Sequence, residues 1–336
     1  MLRFLRSVLH PERFHAHGLR RRPFFEGWYF KLVDAAEAQP TAVIPGLFRG
    51  NEPERDHAFV QVLDGRRGRS HYFAYEPEAF RASEKAFDVR VGANRFEPQA
   101  IALDAEDGAA IVRGSLRFGP VTPWPVRLLS PGVMGPYGWL PFLECSHGVL
   151  SFDHALEGEL TLQGLGHDPF EAATVRFDGG RGYCEKDWGE AFPSAYVWTQ
   201  TNHFDTPGTS LTASAAMIPW RGRSFRGFLA GLRHAGRLHR FATYTGARIE
   251  RLAVDDATVE LVLADRRQRL ALRAERAEGG LLHAPVRTEM DRRVSETLRA
   301  RVEVELTERG RTRFYGTGRA AGLEVQGDLP TLLTAR

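Results

Sequence analysis

The chain has 336 residues, which predicts one large or two medium domains. A hydrophobic content of 43% allows a sizeable core, and a net charge of only +3 gives no indication of a nucleic-acid-binding protein. The two cysteines, Cys145 and Cys184, lack metal-type spacing and cannot form a disulfide framework, so a reducing compartment is expected. No run of about 18 apolar residues and no signal-peptide core is present, and we therefore expect a cytoplasmic location without a membrane span.

Residues 1–23 form a basic N-terminal arm. Leu2, Leu5 and Leu9 recur at helical spacing, with Arg3 and Arg6 between them. A short basic amphipathic helix of this kind can rest on an anionic membrane surface. The alternative is a helix that packs on the domain, so a peripheral membrane contact through residues 1–22 is one of two interpretations.

Short alternating runs between Gly, Pro, Asp and Asn clusters predict β-strands in the first half of the chain. The predicted strands are 28–33, 58–63, 71–75, 87–91, 99–103, 110–118, 148–152 and 157–162. Residues 35–57 are predicted to be a long polar loop or a hairpin with a broad tip. The proline-rich stretch 119–141 is predicted to be an irregular connector or lid.

The second half continues in the same way, and long amphipathic helices are scarce. The predicted strands are 172–177, 195–204, 209–218, 225–233, 237–244, 247–254, 258–264, 267–274, 299–307 and 311–320. A short helix is predicted at 285–298. Strands spaced by about 8–12 residues favour an all-β protein with two antiparallel β-barrel or sandwich domains and few helices. We place these domains at 24–165 and 166–325, followed by a tail at 326–336.

The predicted strand at 195–204 has an unusual face, on which two amides lie among aromatic rings. That face carries Tyr196, Trp198, Gln200, Asn202 and Phe204. The next runs, 211–216 and 227–231, are rich in small residues. Small inward residues give a barrel room for a ligand, although they can also serve only to ease strand curvature.

Two short stretches concentrate charge beside aromatic rings. The first stretch, residues 24–31, holds Glu26, Trp28 and Lys31, and the second, residues 182–198, begins with the run Glu185-Lys186-Asp187-Trp188. The chain has only three lysines among 45 basic residues, and two of them lie here, which indicates either chance or a need for a compact ammonium group. Because buried charge is costly unless it is paired, we expect the two stretches to meet around one cavity.

These stretches resemble the signatures of a known family. The N-terminal signature of the tocopherol cyclase family is similar to Phe25-Glu26-Gly27-Trp28-Tyr29-Phe30-Lys31. Its central signature is similar to Tyr183-Cys184-Glu185-Lys186-Asp187-Trp188-Gly189 with Phe192-Pro193, and a further family segment resembles Pro141–His147. The resemblance covers roughly residues 24–328.

The resemblance implies a lipocalin-like β-barrel fold, related to that of carotenoid hydratases. It also implies closure of the chromanol ring of vitamin E precursors, which is the reaction of the plant members. The present chain has a shorter N-terminus and less sequence between the motifs, and these departures leave the exact substrate open. The fold prediction thus becomes two lipocalin-like domains.

Cyclisation of a prenylated phenol requires an acid that protonates an alkene. A carboxylic acid stays protonated in a dry apolar pocket, aromatic faces stabilise the resulting cation, and a base accepts the phenol proton. The predicted catalytic residues are Asp187, as proton donor, with Glu185, Glu26 and Lys186. The predicted substrate-binding residues are Trp28, Tyr29, Lys31, Glu144, His147, Trp188, Tyr196, Trp198, Gln200 and Asn202. The expected partner is a lipophilic small molecule, without a cofactor.

Other interpretations of the same residues stay open. Glu185, Lys186 and Asp187 can form a structural ion-pair network, and a lone His147 is more often a core histidine with satisfied hydrogen bonds. The protein can bind a lipid or isoprenoid without turning it over, or it can hydrate an isoprenoid as carotenoid hydratases do. His15 and His17 resemble a metal-ligand pair, but no further ligand accompanies them, so no metal site is predicted.

The N-terminal arm leads to a prediction about membrane binding. Residues 1–22 carry one acid, Glu12, against six arginines, which are Arg3, Arg6, Arg13, Arg20, Arg21 and Arg22. We expect weak co-sedimentation with anionic vesicles that fades with added salt, because salt screens such attraction over about 8–10 Å. If a chain that lacks residues 1–22 co-sediments as well as the full chain, the arm has no membrane role.

Overall fold

A computed structural model describes residues 8–16, 22–165, 172–220 and 222–335. The fold is all-β and lipocalin-like, with large antiparallel sheets and few helices, which confirms the predicted fold class. The chain divides into two compact units, of which the first ends at Phe192 and also includes Gly280–Val294. The second unit consists of Pro193–Gly279 and the chain from Ser295 onward. Within the described ranges, we find no helix with the length and apolar character that a membrane crossing requires.

The first unit is built on one antiparallel sheet, which has 12 strands among the described residues. Its strand order is β4-β3-β2-β1-β12-β10-β9-β8-β7-β6-β5, and β11 pairs with β10. The strands are β1 (Phe24–Val33), β2 (Thr41–Arg49), β3 (His57–Asp64), β4 (Arg69–Tyr75), β5 (Phe80–Ala82), β6 (Val89–Val91), β7 (Asn94–Glu97), β8 (Ala100–Glu106), β9 (Ile111–Phe118), β10 (Cys145–Gln163), β11 (Ala172–Arg176) and β12 (Arg181–Gly189). Short 3-10 helices lie at Pro53–Arg55, Pro77–Ala79 and Gly135–Trp139.

The second unit is built on an antiparallel sheet with the order β16-β15-β14-β13-β22-β21-β19-β18-β17. The remaining strands of the chain are β13 (Ala195–Thr201), β14 (Ser210–Trp220), β15 (Arg223–His234), β16 (Arg237–Ala242), β17 (Arg248–Val254), β18 (Thr258–Ala264), β19 (Gln268–Glu275), β20 (Gly280–Ala284), β21 (Arg292–Glu308) and β22 (Arg311–Gly327). A 3-10 helix lies at Thr243–Thr245, and an α-helix at Leu329–Thr334 has Asp328 as its N-cap.

The boundary between the units differs from the one expected after residue 165. Strand β12 pairs with β1 on one side and with β10 on the other, so the chain up to Phe192 stays with the first sheet. The sequence shows Gly164 and the turn residues after it, and such residues mark a turn equally well within a unit and between units. The segment Gly280–Val294 returns to the first unit, which no local pattern indicated.

Strand patterns explain which elements were visible in the sequence. In β8, Ile101, Leu103 and Ala105 are buried while the residues between them are exposed. This alternation is typical of a sheet with one solvent-exposed face. In β1, nine of ten residues are buried, so both faces are covered and no alternation is seen. Strand β1 is therefore a central strand that is covered on both faces.

Three segments differ from the sequence predictions. Residues 35–57 contain a full strand, β2, because Pro45 and Gly46 are accommodated inside it instead of forming a turn. The paired residues of β1 and β2 skip the position opposite Pro45, which has no N–H to donate, and the Phe59 ring occupies the space over Gly46. The predicted strands 148–152 and 157–162 are one strand, β10. The predicted helix at 285–298 is wrong, since β21 already begins at Arg292.

His154 on β10 is buried as a neutral side chain. Its Nδ1 lies 2.9 Å from the Ser151 hydroxyl, its ring centroid lies 4.6 Å from that of Phe118, and its Nε2 has no hydrogen-bond partner among the described residues. A Cβ at Gly182 would lie 2.3 Å from that Nε2, so glycine is needed there. Burial lowers the pKa of His154 from 6.5 to about 4, because the charged ring cannot be solvated.

We expect acid to destabilise the first unit through His154. In the unfolded chain His154 takes up a proton below pH 6.5, whereas in the folded chain it does so only near pH 4. The contribution of neutral His154 to the free energy of unfolding is therefore complete above pH 6.5 and is lost between pH 6.5 and pH 4. The full loss is about 3 kcal/mol. Urea unfolding of wild type and His154→Phe at pH 7 and pH 4.5 measures it. The variant should lose distinctly less stability on acidification, and equal losses would contradict the assignment.

Candidate active site

The two charged aromatic motifs lie side by side on β1 and β12. The antiparallel register places Glu26 opposite Trp188, and Trp28 opposite Lys186. The predicted meeting of the two motifs is therefore confirmed, although more than 150 positions separate them in the sequence. The predicted single cavity is not what forms, because side chains alternate between the two faces of a strand.

Alternation sorts the motif residues into two sets. One face of β1 and β12 looks into the hydrophobic core of the first unit, which includes Trp28, Phe30 and Cys184. By register and alternation, the core-facing set is Glu26, Trp28, Lys186 and Trp188, and the set on the opposite face is Tyr29, Lys31, Tyr183, Glu185 and Asp187. We call the opposite face the outer face. The acid, base and aromatic groups that were expected together thus lie on two sides of one sheet.

A buried ion pair dominates the core-facing side. The side chains of Glu26 and Lys186 both have 0% exposure, and their charged groups are in direct contact. The Lys186 ammonium also donates to the backbone carbonyls of Pro11, at 3.1 Å, and of Arg13. The His15 backbone N–H donates to both Glu26 oxygens, at 2.9 and 3.0 Å. Residues 11–15 thereby close over the pair.

Aromatic rings complete the surroundings of the ammonium. The Lys186 Nζ lies 4.8 Å from the ring centroid of Trp28 and 4.7 Å from that of Trp188, within the range of cation–π attraction. The His15 ring stacks on Trp188 at 4.3 Å, and the Trp28 indole N–H donates to the Glu12 carbonyl. The two tryptophan faces that we expected to stabilise a substrate cation are in contact with a protein cation.

The pKa values of Glu26 and Lys186 indicate that both groups of the buried ion pair are charged. Burial lowers the pKa of Lys186 to about 8, although Glu26 counteracts it, so the amine is still mainly charged at pH 7. Burial would raise the pKa of Glu26, but Lys186 and His15 outweigh it and hold that pKa below its ordinary value. Both groups are ionised and fully enclosed, and we therefore assign Glu26 and Lys186 a structural role in place of the predicted catalytic one.

The outer face carries a row of polar side chains in contact with one another. His147 on β10 lies directly opposite Asp187 on β12, and its Nδ1 is 2.9 Å from an Asp187 carboxylate oxygen. Its Nε2 lies 3.5 Å from a Glu185 oxygen, which is a charge contact without a hydrogen bond, and the Tyr183 hydroxyl donates to that same Glu185 oxygen. The order Tyr183, Glu185, His147, Asp187 defines what we call the relay.

The relay is protonated at His147, and one of its ends is partly exposed to solvent. Burial alone would lower the pKa of His147, but Asp187 and Glu185 raise it to about 9, so the imidazole is protonated at neutral pH. Side-chain exposure is 24% for Asp187, 14% for His147 and 6% for Glu185, while Tyr183 is fully buried. Asp187 is therefore the member that a bound molecule reaches most easily.

The same side chains also offer metal-ligand atoms. One atom each from His147, Glu185 and Asp187 lies within 4.8 Å of the others. The two carboxylates, however, approach different nitrogens of the imidazole ring, and one metal ion can use only one of these nitrogens. The arrangement suits a shared proton better than a shared ion.

The structure also locates the other predicted site residues. Tyr29 and Lys31 are buried on β1, directly opposite the relay residues Glu185 and Tyr183, and Glu144 forms an ion pair with Arg287 at 2.8 Å. Four residues lie on or just after β13 of the second unit and are all buried, namely Tyr196, Trp198, Gln200 and Asn202. The Tyr196 hydroxyl donates to Glu324 at 2.6 Å. A ligand cavity in that unit stays a prediction.

Two features of the first unit were missed in the sequence. The first is Tyr183, whose spacing of two from Glu185 places both side chains on one strand face and was a readable signal. The second is a cleft of about 490 Å³ on the β2–β4 side of the sheet. Phe48, His57, Tyr72 and His283 line it, and His57 accepts a 2.7 Å hydrogen bond from the Tyr72 hydroxyl.

Comparisons with solved structures show a shared fold. CghA, crystallised with Sch210972, is 11% identical with a TM-score of 0.57, over 91% of this chain and 89% of that chain. Kievitone hydratase from Nectria haematococca is 13% identical with a TM-score of 0.51, over 90% and 89%. The protein NE1406 from Nitrosomonas europaea is 14% identical with a TM-score of 0.52, over 90% and 92%. At these identities the likeness concerns the fold alone.

No curated protein sequence matches the chain. A family model described as tocopherol cyclase-like matches residues 137–327, which is more than half of the 336 residues. The match includes β10 and β12, the two strands that carry His147, Glu185 and Asp187. The chain therefore belongs to the tocopherol cyclase-like family.

Proposed function

We propose that the protein is an acid-catalysed cyclase that converts a prenylated quinol, or a related isoprenoid, to a chromanol. The observation that carries this proposal is the relay, in which a protonated His147 lies between two carboxylates and Asp187 forms the open end. The family supports an enzyme of this general kind. A carrier of isoprenoids would need a cavity but no such proton store.

The reaction begins with proton transfer from the Asp187 carboxylic acid to the alkene. The proton adds to the less substituted carbon, and the more substituted carbon becomes a cation. The phenol oxygen attacks that cation, a C–O bond forms, and the phenol proton leaves to the relay. The product has the same atoms as the substrate, and the relay regains the proton that it gave.

His147 keeps Asp187 supplied with a proton. Its Nδ1 lies within hydrogen-bond distance of Asp187, so one short transfer converts the resting carboxylate to the acid. An apolar substrate that displaces water from Asp187 favours the neutral form, which couples binding to acid formation.

Hydration of the same cation is the second candidate function. Water instead of the phenol oxygen would then attack, and the product would gain one water. The observation in its favour is the shared fold with kievitone hydratase, which at 13% identity supports the fold and not the reaction. Mass spectrometry separates the two, because cyclisation leaves the mass unchanged.

Asp187→Asn should abolish turnover of a prenyl quinol, because the amide keeps the shape but cannot donate the required proton. We expect a loss in kcat of at least about 100-fold, the usual scale of general-acid catalysis. The matched control is Asp107→Asn, since Asp107 forms a similar pair with His71 at 2.7 Å elsewhere in the first unit. The control should retain wild-type kcat. Wild-type turnover in Asp187→Asn would rule Asp187 out as the acid.

The pH profile reports on His147. Because its pKa is about 9, the relay keeps its proton below that pH and loses it above. We therefore expect kcat/KM to be flat near pH 7–8 and to fall as the pH rises through about 9. In His147→Gln this alkaline limb should disappear together with most of the activity. An unchanged limb in that variant would assign it to another group.

A further inference from the structure

On strand β1, solvent exposure is limited to one position. Nine of the ten residues of β1 are buried, and the exception is Gly27. Gly27 lies directly opposite Asp187 on β12, which in turn lies directly opposite His147 on β10. All three are partly exposed and lie in one row across the sheet. The open end of the relay therefore borders a glycine.

The row continues into β2 and β3, where the available space changes. Gly27 lies opposite Gly46, and Gly46 lies opposite Phe59. A Cβ at Gly46 would lie 2.3 Å from the Phe59 ring, so that space is already filled. A Cβ at Gly27 would meet Pro45 O at 3.6 Å, Ile44 Cγ2 at 3.8 Å and Phe59 Cζ at 3.9 Å, which are ordinary contacts.

The position over Gly27 is thus a small notch. The Ile44 and Phe59 side chains and the Pro45 carbonyl border it, and Asp187 lies directly opposite Gly27 on β12. Side chains directly opposite each other on paired strands have Cβ atoms about 4.5–5.5 Å apart, so any side chain at position 27 would lie in the volume beside Asp187. The backbone of Gly27 does not adopt the left-handed region, so conformation does not demand glycine here.

We infer that Gly27 determines specificity by leaving room for the reacting double bond beside Asp187. A proton donor must approach the alkene carbon to about 3–3.5 Å, and the space over Gly27 admits one carbon atom at ordinary contact distance from Ile44 and Phe59. This inference rests on the proposed function, but binding tests it separately from turnover.

The experiment compares Gly27→Ala and Gly27→Val with wild type in the full chain. The probe is 2-(3-methylbutyl)hydroquinone, whose saturated side chain binds but cannot react, and its affinity is measured by calorimetry. We expect affinity to fall about threefold in Gly27→Ala and at least about tenfold in Gly27→Val. The added Cβ makes only ordinary contacts, so the urea midpoint of Gly27→Ala should stay close to wild type.

The matched control is Ala74→Val, which adds the same β-branch. Ala74 is exposed and lies in the same row, opposite Phe59 on β4, but far from Asp187. The affinity of Ala74→Val for the probe should equal that of wild type. If Gly27→Val disturbs folding, the affinity of Gly27→Ala alone tests the inference.

Turnover gives the second readout. With a prenyl quinol and the smaller allyl quinol as substrates, Gly27→Ala should shift the kcat/KM ratio towards allyl. Unchanged affinity and unchanged ratio would overturn the inference and leave the cyclase proposal intact. If the Gly27 variants lose affinity for the probe but the wild-type protein does not cyclise a prenyl quinol, the role of Gly27 in binding is supported and the proposed reaction is ruled out. Absence of probe binding to wild type would overturn the inference.

Discussion

A buried ammonium group needs partners, and this requirement fixes the centre of the first unit. Lys186 has no exposed surface, and its charge is balanced by Glu26 and by backbone carbonyls of residues 11–15. Removal of one partner from such a pair costs about 3–5 kcal/mol, because a buried charge is left uncompensated. The pair therefore holds β1 against β12 in one register and ties the N-terminal segment to both strands.

Because side chains alternate along a strand, the burial of Lys186 also fixes where its two neighbours lie. With Lys186 committed to the core, Glu185 and Asp187 on either side of it must point to the outer face. There they meet His147, which the register of β10 and β12 places opposite Asp187. One run of three charged residues thus supplies both the internal ion pair and the relay, and the two sets are separated by the thickness of a single sheet.

The sequence was informative where a short run of residues carries the evidence. The contact between residues 24–31 and the charged start of 182–198 followed from the cost of isolated buried charge, and the all-β fold followed from strand spacing. The two-residue period of a β-strand would have placed neighbouring motif residues on opposite faces of the sheet. Because each motif contains an acid, a lysine and a tryptophan, however, the sequence favoured a single shared cavity. Strand β2 and the return of Gly280–Val294 to the first unit depend on long-range burial, which local propensity does not report.

The central claim is that one face of the β1–β12 pair maintains the fold and the other performs the chemistry. Urea unfolding of Glu26→Gln and Asp187→Asn, measured side by side at pH 7, tests this most directly. The account predicts that Glu26→Gln loses about 3 kcal/mol or more, because Lys186 loses its counter-charge, whereas Asp187→Asn loses distinctly less, because Glu185 still lies beside His147. An equal or larger loss in Asp187→Asn would contradict it, since the relay would then be part of the structural framework.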